Sequence, residues 1–312
     1  MDGILVIDKP AGPTSHDIVD AVRRVLRQKK VGHTGTLDPA ATGALPLVLG
    51  SATKIARYLS GGNKEYDATL RLGVTTTTLD SEGEVVETKP VDVTEQQVRA
   101  VLGLFVGDIK QIPPMYSAKK MQGKRLYELA RQGVEIEREP KDVIVHSIEL
   151  TELSLPDIMV KVRCSAGTYV RVLAQDVGER LGCGGHLKQL RRIVAGPFSI
   201  DDAVTLDVLE AAPENAKAHI LPIGRGLRGV PSVSLPVHLG RQVASGQQLM
   251  VADLRTLDIP DVGENDLVAL WLDDGTLLAL TRAGIPTARL ASARRDEIAL
   301  KTERVFAQAP RR

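Results

Sequence analysis

The sequence predicts an α+β fold with an irregular mixed sheet, and three features carry that prediction. Ile158, Val160, Val162 and Cys164 fall at every second position, and Tyr66, Ala68 and Leu70 do the same; this is the period of half-buried strands. Thr94 and Gln97 form a capping box ahead of Val98, Val101, Leu102 and Phe105, which fall at helical spacing. Strands and helices then mix without the regular strand–helix–strand beat of a parallel doubly wound sheet.

In chain order, Gly3 to Asp8 reads as a buried strand ended by Lys9-Pro10. Pro13, Thr14 and Ser15 open a helix whose Ile18, Val22, Val25 and Leu26 share a face. Ser51 is expected to cap a second helix running through Leu59, and Lys64 to Gly73 to form a strand. After the capped helix at Thr94, Lys124 to Gln132 is expected to be helical and to stop at Gly133. From Thr168 the chain turns from extended into a helix ending near Gly182.

At 312 residues two domains are expected. The glycine- and proline-rich stretch LPIGRGLRGVPSVSLP marks the boundary. The expected division is residues 1–222, a linker at 223–236, and a β-rich module at 237–312 with short apolar runs at Val268 to Leu272 and Leu277 to Thr281.

Forty basic and thirty-nine acidic residues leave a formal +1, so no global field marks a polyanion partner. Local basic clusters stand at Arg23, Arg24, Arg27, Lys29 and Lys30, at Lys119, Lys120, Lys124, Arg125 and Arg131, and at Lys188, Arg191 and Arg192. Each alone reads as a solvated face; together they suggest a phosphate-binding surface. Cys164 and Cys183, nineteen positions apart, form neither a disulfide framework nor a zinc pattern, and the histidines lack ligand spacing. No signal peptide and no membrane span are expected, which places the protein in the cytoplasm.

The stretch VGHTGTLDPAATGALPLVLG holds one acid, Asp38, directly before a proline. Pro39 keeps Asp38 out of helical geometry, and Gly32, Gly35 and Gly43 permit tight bends, so the carboxylate sits on a firmly shaped loop. Such a loop suits a reactive group, and equally an acid that caps the next turn. A phosphate-cradling loop would need G-x-x-x-x-G-K-[ST], which is absent. Local sequence leaves the two readings open.

This stretch closely resembles the catalytic motif of the TruB family of tRNA pseudouridine synthases, and further motifs of that family follow in order. They are GILVIDKPAGPTSHDIV, KEYDATLRLG, IPPMYSAKKMQGKRLYELAR and CSAGTYVRVLAQDVGERLGCGGHLKQLRRIVAGPF, so the resemblance spans about residues 3 to 200. ATGALPL after the aspartate fits the bacterial stand-alone branch. One departure is Thr77 in LGVTTTTLD, where the family commonly has an acid; Asp80 remains nearby.

The resemblance implies the pseudouridine synthase fold, with a mainly antiparallel central sheet and a PUA-like RNA-binding module at the C-terminus. It implies conversion of uridine to pseudouridine at position 55 in the T-loop of tRNA, with base flipping and without metal or organic cofactor. By carry-over Asp38 is the nucleophile, attacking either carbon 6 of the ring or the anomeric carbon of the ribose. Tyr66 stacks on the uracil and takes the carbon-5 proton, and Arg171 pairs with Asp38. Tyr169 and Leu190 line the pocket, with Tyr169 and Arg171 expected on one side of an extended segment. His33 props the opened T-loop, and Lys9 belongs with the substrate-binding residues or, with Pro10, supports the catalytic loop from behind. The T-arm of tRNA is the expected partner, with no membrane and no obligate protein partner, for a monomer. Two other classes stand beside this reading. A tRNA-folding chaperone would not need the Asp38, Tyr66 and Arg171 set, and a glycosidase-type hydrolase would need a second carboxylate facing Asp38, which the motif does not offer.

Overall fold

A computed structural model describes residues 1–116, 120–121, 124–125, 133–134 and 136–306. The chain divides into two compact units, Met1–Leu221 and Pro222–Arg312.

The strands of the first unit are β1 (Gly3–Lys9), β2 (Val31–His33), β3 (Thr42–Leu49), β4 (Lys64–Leu72), β5 (Val74–Thr76), β6 (Val85–Thr88), β7 (Gly107–Gln111), β8 (Lys120–Met121), β9 (Lys124–Arg125), β10 (Lys141–Ser154), β11 (Asp157–Cys164), β12 (Gly185–Ala195), β13 (Phe198–Ser199) and β14 (Ala203–Val204). The main sheet runs β14-β1-β3-β12-β4-β11-β10-β7, with β13 added to β12 and β2 to β3. Two of its pairings are parallel, β1 with β14 and β12 with β3; the others are antiparallel. The mixed, mainly antiparallel sheet of the expectation is therefore present.

Central β12 organises the site. Its Arg192 lies opposite Gly43 of β3 on one side and Tyr66 of β4 on the other. Gly43 is required there: it has φ +100°, and a Cβ would stand 2.3 Å from the Arg192 carbonyl oxygen.

The helix Ser15–Val25 starts where the sequence places it. Thr14 Oγ1 accepts from the Asp17 amide at 3.1 Å, while the Thr14 amide donates to Asp17 Oδ2 at 2.8 Å. A cap of this kind contributes about 1 kcal/mol. The helix buries Ile18, Val19, Ala21 and Val22 against the sheet, which turns Ser15 toward the segment after β2. The helix Glu95–Gly103 is capped the same way by Thr94 and Gln97 and buries Val98 and Leu102. The strand Asp157–Cys164 buries every second side chain, as its alternation requires.

Three local expectations change. Residues Gly50–Ile55 form a 3₁₀ turn before a short helix, Ala56–Ser60, and neither is capped by the Ser51 side chain. The Ser51 amide donates instead to Asp2 Oδ1 at 2.5 Å, so an acid distant in sequence satisfies that end of the chain. Lys124–Arg125, expected to begin a helix, pair as β9 with β8; residues 126–132 of that expected helix lie outside the described residues. Tyr169 is extended (φ −101°, ψ 105°), but Val170–Arg180 is already helical, so Arg171 lies in a first turn rather than on an extended segment.

The second unit carries β15 (Ser232–Leu235), β16 (Leu249–Met250), β17 (Leu267–Leu272), β18 (Leu277–Ala283) and β19 (Ile298–Val305), in the sheet order β15-β17-β18-β19-β16. Its own core includes Val233, Leu235, Val268, Leu270, Leu278 and Leu300. Residues 223–236, expected to link, hold a 3₁₀ turn at Ile223–Leu227 and strand β15, whose pairing with β17 makes them part of this unit. Among the described residues no helix is long and apolar enough to cross a membrane. Both cysteines are free and buried.

Candidate active site

The segment from Thr34 to Ala41 joins β2 to β3 and carries Asp38. Its backbone is held at nearly every step. Leu37 donates to Ser15 Oγ at 2.8 Å and its carbonyl accepts the same hydroxyl at 2.9 Å. The Pro39 carbonyl accepts from the Gly12 amide at 2.9 Å. Lys9, fully buried, donates Nζ to the carbonyls of Pro10, Pro39 and Ala41 at 2.9, 2.9 and 2.8 Å. Arg192, 1% exposed, donates to the carbonyls of Gly35, Thr36 and Ala44. Two buried cations thus bracket the loop from both ends. After Asp38 the chain makes a turn and enters β3; that turn is closed by the Ala41 amide donating to the Asp38 backbone carbonyl at 3.1 Å, while the Asp38 carboxylate is directed to Arg171.

Asp38 lies on the wall of a cavity of about 370 Å³ with Thr34 to Leu37, Ser60, Lys64, Tyr66, residues 166–171, Leu187, Leu190 and Arg192. That volume lies within the ~300–1,000 Å³ range of small-molecule sites. Arg171, 5% exposed, reaches Asp38 Oδ2 through Nη2 at 3.3 Å and Asp80 Oδ2 through Nη1 at 3.3 Å, and donates Nη2 to the Tyr116 carbonyl at 2.7 Å. One guanidinium therefore joins two carboxylates. Asp80 is itself fixed: its Oδ1 accepts from Thr78 Oγ1 at 2.5 Å and from the Glu82 amide at 3.1 Å.

The electrostatics follow from this geometry. Crowding by the loop pushes the Asp38 carboxyl above its ordinary range, Arg171 opposes the push, Asp80 adds to it, and Lys9 opposes it. Some 44% of the Asp38 side chain still opens to the pocket, so water relieves much of the push until a ligand covers it. Burial raises the Tyr66 phenol, with Arg192 opposing. Burial lowers Lys9 to about 8, with Asp38 opposing, and lowers Lys64 to about 8, with Arg192 adding to the fall. Lys64 donates Nζ to the Ser60 and Gly62 carbonyls at 2.7 and 2.5 Å. Among the described residues, no group of three His, Cys, Asp or Glu is placed to hold a metal ion.

Comparison with known proteins identifies the fold around this site. Residues 23–170 match the N-terminal domain model of TruB family pseudouridylate synthases, and residues 171–228 match the C-terminal domain model of tRNA pseudouridylate synthase B. A protein of Burkholderia mallei (strain NCTC 10247) named tRNA pseudouridine synthase B is 46% identical over 284 residues, 91% of this chain and 93% of the relative. A protein of the same name from Geotalea uraniireducens (strain Rf4) is 44% identical over 290 residues, 92% of this chain and 93% of the relative. The chain belongs to the TruB family of pseudouridylate synthases. It is an isomerase. Among solved structures, a chain of a Cbf5-Nop10-Gar1 complex aligns with a TM-score of 0.80 at 28% identity, covering 98% of this chain and 85% of that one.

Within this TruB-family scaffold, Asp38, Tyr66, Tyr169, Arg171 and Leu190 come together on one cavity wall, from four separate segments of chain. Tyr169 and Arg171 both line it although the chain passes from extended to helical between them; the Arg171 guanidinium carbon lies 6.0 Å from the Tyr169 ring centre. Lys9 does not reach the cavity wall. Its donors are spent on three carbonyls, which gives it the place of a loop support and not of a substrate contact. His33 is half-buried on β2, off the cavity wall, with Nδ1 buried and, among the described residues, without a hydrogen-bond partner. Burial, with Arg192 and His16 adding, lowers its pKa and so favours the neutral imidazole.

Four residues escaped the sequence reading. Asp80 was visible as the acid left in LGVTTTTLD, but its meeting with Arg171 was not. Thr77, the departure from the family pattern, closes a turn by exchanging hydrogen bonds with Glu84, so its lost acid leaves the Arg171 pairing intact. Asp80 also answers the hydrolase alternative: it is buried, off the cavity wall and committed to Arg171, so it does not face the pocket as a second reacting carboxylate. Gln111, 2% exposed, grips Tyr169 by accepting from its amide at 2.9 Å and donating to its carbonyl at 3.3 Å, and nothing in sequence signals this. Lys64 and Arg192 look like surface cations in sequence and are interior in the fold.

The burial of Arg192 corrects the reading of the 188–192 cluster as a free phosphate-binding surface. Lys188 is paired with Asp157 at 2.6 Å, Arg191 holds Asp8 through two bonds of 3.1 and 2.8 Å, and Arg192 is interior. In the first cluster Arg23 pairs with Asp20 at 2.9 Å, while Arg24, Arg27, Lys29 and Lys30 are exposed. Most of the 119–131 cluster lies outside the described residues.

Proposed function

We propose that this protein converts uridine to pseudouridine at position 55 in the T-loop of tRNA, with Asp38 as nucleophile. The observation that carries the reading is the Asp38–Arg171 pair in a cavity large enough to admit a flipped base, walled by Tyr66, Tyr169, Leu187 and Leu190. The relatives named tRNA pseudouridine synthase B support tRNA as the substrate class.

The reaction is an isomerisation: the bond from N1 to the ribose breaks, the uracil turns, and carbon 5 bonds to the ribose in its place. Carbon 5 loses a proton and N1 gains one, so no atom is added and no cofactor is required. The uracil, flipped from the loop, stacks on Tyr66, a contact worth about 1–3 kcal/mol per base. It thereby covers the open side of Asp38 and excludes water that would hydrolyse a detached sugar. Arg171 keeps Asp38 ionised under that cover and fixes the direction of its oxygens. Tyr66 takes the carbon-5 proton, and His33 serves the opened T-loop from beside the cavity. The protein acts in the cytoplasm as a monomer, without an obligate protein partner. The deciding experiment is incubation with unmodified tRNA transcript followed by pseudouridine mapping; no product at the T-loop uridine would refute the reading.

The second unit is read as a PUA-like RNA-binding domain, because the cavity residues all precede Phe198 while this unit has a core of its own. A chain ending at Leu221, where the contacts divide, is expected to bind tRNA more weakly and with a shallower loss of affinity with salt, since fewer phosphates are neutralised. Filter binding across salt concentrations measures both. A folded truncation with unchanged affinity and slope would remove RNA binding from this unit.

A further inference from the structure

Arg192 is among the largest side chains fully buried in this protein, and among the described residues it has no carboxylate partner. A buried cation without a counter-charge is costly, and the carbonyls of Gly35, Thr36 and Ala44 offset that cost only as dipoles. Lys64 and His33 stand near it without attracting it, and the neighbour whose charge state it can favour is the Tyr66 phenol, which faces it across the β12–β4 register. Tyr66 and Arg192 both line the cavity.

We propose that Arg192 is the positioning residue of the carbon-5 proton step: it holds the Tyr66 oxygen and, through Gly35, Thr36 and Ala44, the loop carrying Asp38, and it is the counter-charge of a Tyr66 phenolate. This rests on the reading of Tyr66 given above. In that step the phenol has already released its proton to water in the open pocket. The C5–H bond then breaks, its proton bonds to the phenolate oxygen, and the electron pair left on carbon 5 closes the C5–C6 double bond. Carbon 6 in exchange gives up the π pair of its bond to N1, which returns to N1 and is protonated, or, where Asp38 is bonded to carbon 6, the pair of that bond, which leaves with the carboxylate. Burial raises the Tyr66 phenol, Arg192 opposes that rise, and Cys164 and Asp38 add to it, so of these neighbours only Arg192 favours the phenolate. A lysine keeps the charge but cannot span three carbonyls and a phenol with one nitrogen.

The test is single-turnover kinetics on tRNA carrying hydrogen or deuterium at carbon 5 of the target uridine, for wild type, Arg192→Lys, Arg192→Gln, Tyr66→Phe and the Tyr66→Phe/Arg192→Lys pair. Removing general-base assistance costs ~10²–10⁴-fold. Arg192→Lys, which perturbs that base without deleting it, is expected to slow turnover by about tenfold. It should also develop a deuterium effect of about twofold or more. Because Arg192 acts through Tyr66, adding Arg192→Lys to Tyr66→Phe should slow the reaction by less than about twofold further. Slowing without a deuterium effect, or losses that multiply in the double variant, would overturn the proposal. So would failure of both Arg192 variants to fold, which would make the residue purely architectural. If Tyr66→Phe neither slows nor shows a deuterium effect, the reading of Tyr66 has failed first. If Tyr66→Phe shows both and the Arg192 variants show neither, only the role of Arg192 has failed.

Discussion

Asp38→Asn is expected to abolish turnover while tRNA affinity stays within a few-fold of wild type. The change keeps the shape of the side chain and removes the charge and the nucleophilic oxygen pair. Loss of a covalent nucleophile costs a factor on the order of 10⁴ or more in rate. The fold should tolerate the change because the loop is anchored by carbonyls bound to Lys9 and Arg192 and not by the Asp38 side chain. Arg171 keeps Asp80 and the Tyr116 carbonyl as partners, so no buried charge is stranded. Affinity should hold because phosphate contacts carry most RNA binding and the pocket contributes one base. Pro39 also protects the experiment, since the peptide nitrogen after the introduced asparagine has no hydrogen and cannot cyclise readily to regenerate aspartate. Single-turnover rates and filter binding on the same preparation test both halves. A variant retaining more than a trace of the wild-type rate would reduce Asp38 to a structural acid.

How far the sequence reached depends on how local the cause was. The helix at Ser15 and the helix at Glu95 were legible because their caps lie within three residues of the start, and the cap geometry is what the structure has. The strand Asp157–Cys164 was legible because one face of it meets a core. The short helix after Gly50 was misplaced because Asp2, forty-nine residues away, takes the Ser51 amide; no window of sequence holds that pair. The site divides the same way. Asp38 stood out as the single acid in a shaped loop, and resemblance to the TruB family joined it to Tyr66 and Arg171. The meeting of Asp80 with Arg171 depends on the backbone at Leu79 and Ser81 bonding to Leu187, a long-range contact with no local signature. Arg192 was read with Lys188 and Arg191 as one basic cluster. Alternation along β12 separates them: Arg191 reaches Asp8, and Arg192 turns inward.

Arg171 is where loss of a single side chain should change the pH dependence as well as the rate. Its guanidinium serves three acceptors through two nitrogens: Asp38 and the Tyr116 carbonyl on Nη2, and Asp80 on Nη1. In Arg171→Lys a single ammonium retains charge near Asp38 but cannot hold both carboxylates in the same geometry. Losing one preorganised electrostatic contact costs about 10²–10³ in rate, which is the fall expected for Arg171→Lys. Arg171→Ala should fall further. There, crowding and the neighbouring Asp80 push the Asp38 carboxyl upward with only Lys9 opposing. Asp38 is needed as the carboxylate, and a raised pKa means it is protonated up to a higher pH. The acid limb of the rate profile should therefore move to higher pH, and Arg171→Ala should recover part of its loss as pH rises. Arg171→Lys, whose ammonium still favours the carboxylate, should show a smaller displacement. Arg171→Ala also strands the buried Asp80, so a stability loss of about 3–5 kcal/mol is expected alongside. Denaturant unfolding separates that loss from the kinetic one, and the profile is recorded only where the variant remains folded. Single-turnover rates against pH then decide the role of the arginine. If both variants react like wild type at neutral pH, or if the Arg171→Ala profile keeps the wild-type acid limb, Arg171 does not hold Asp38 ionised.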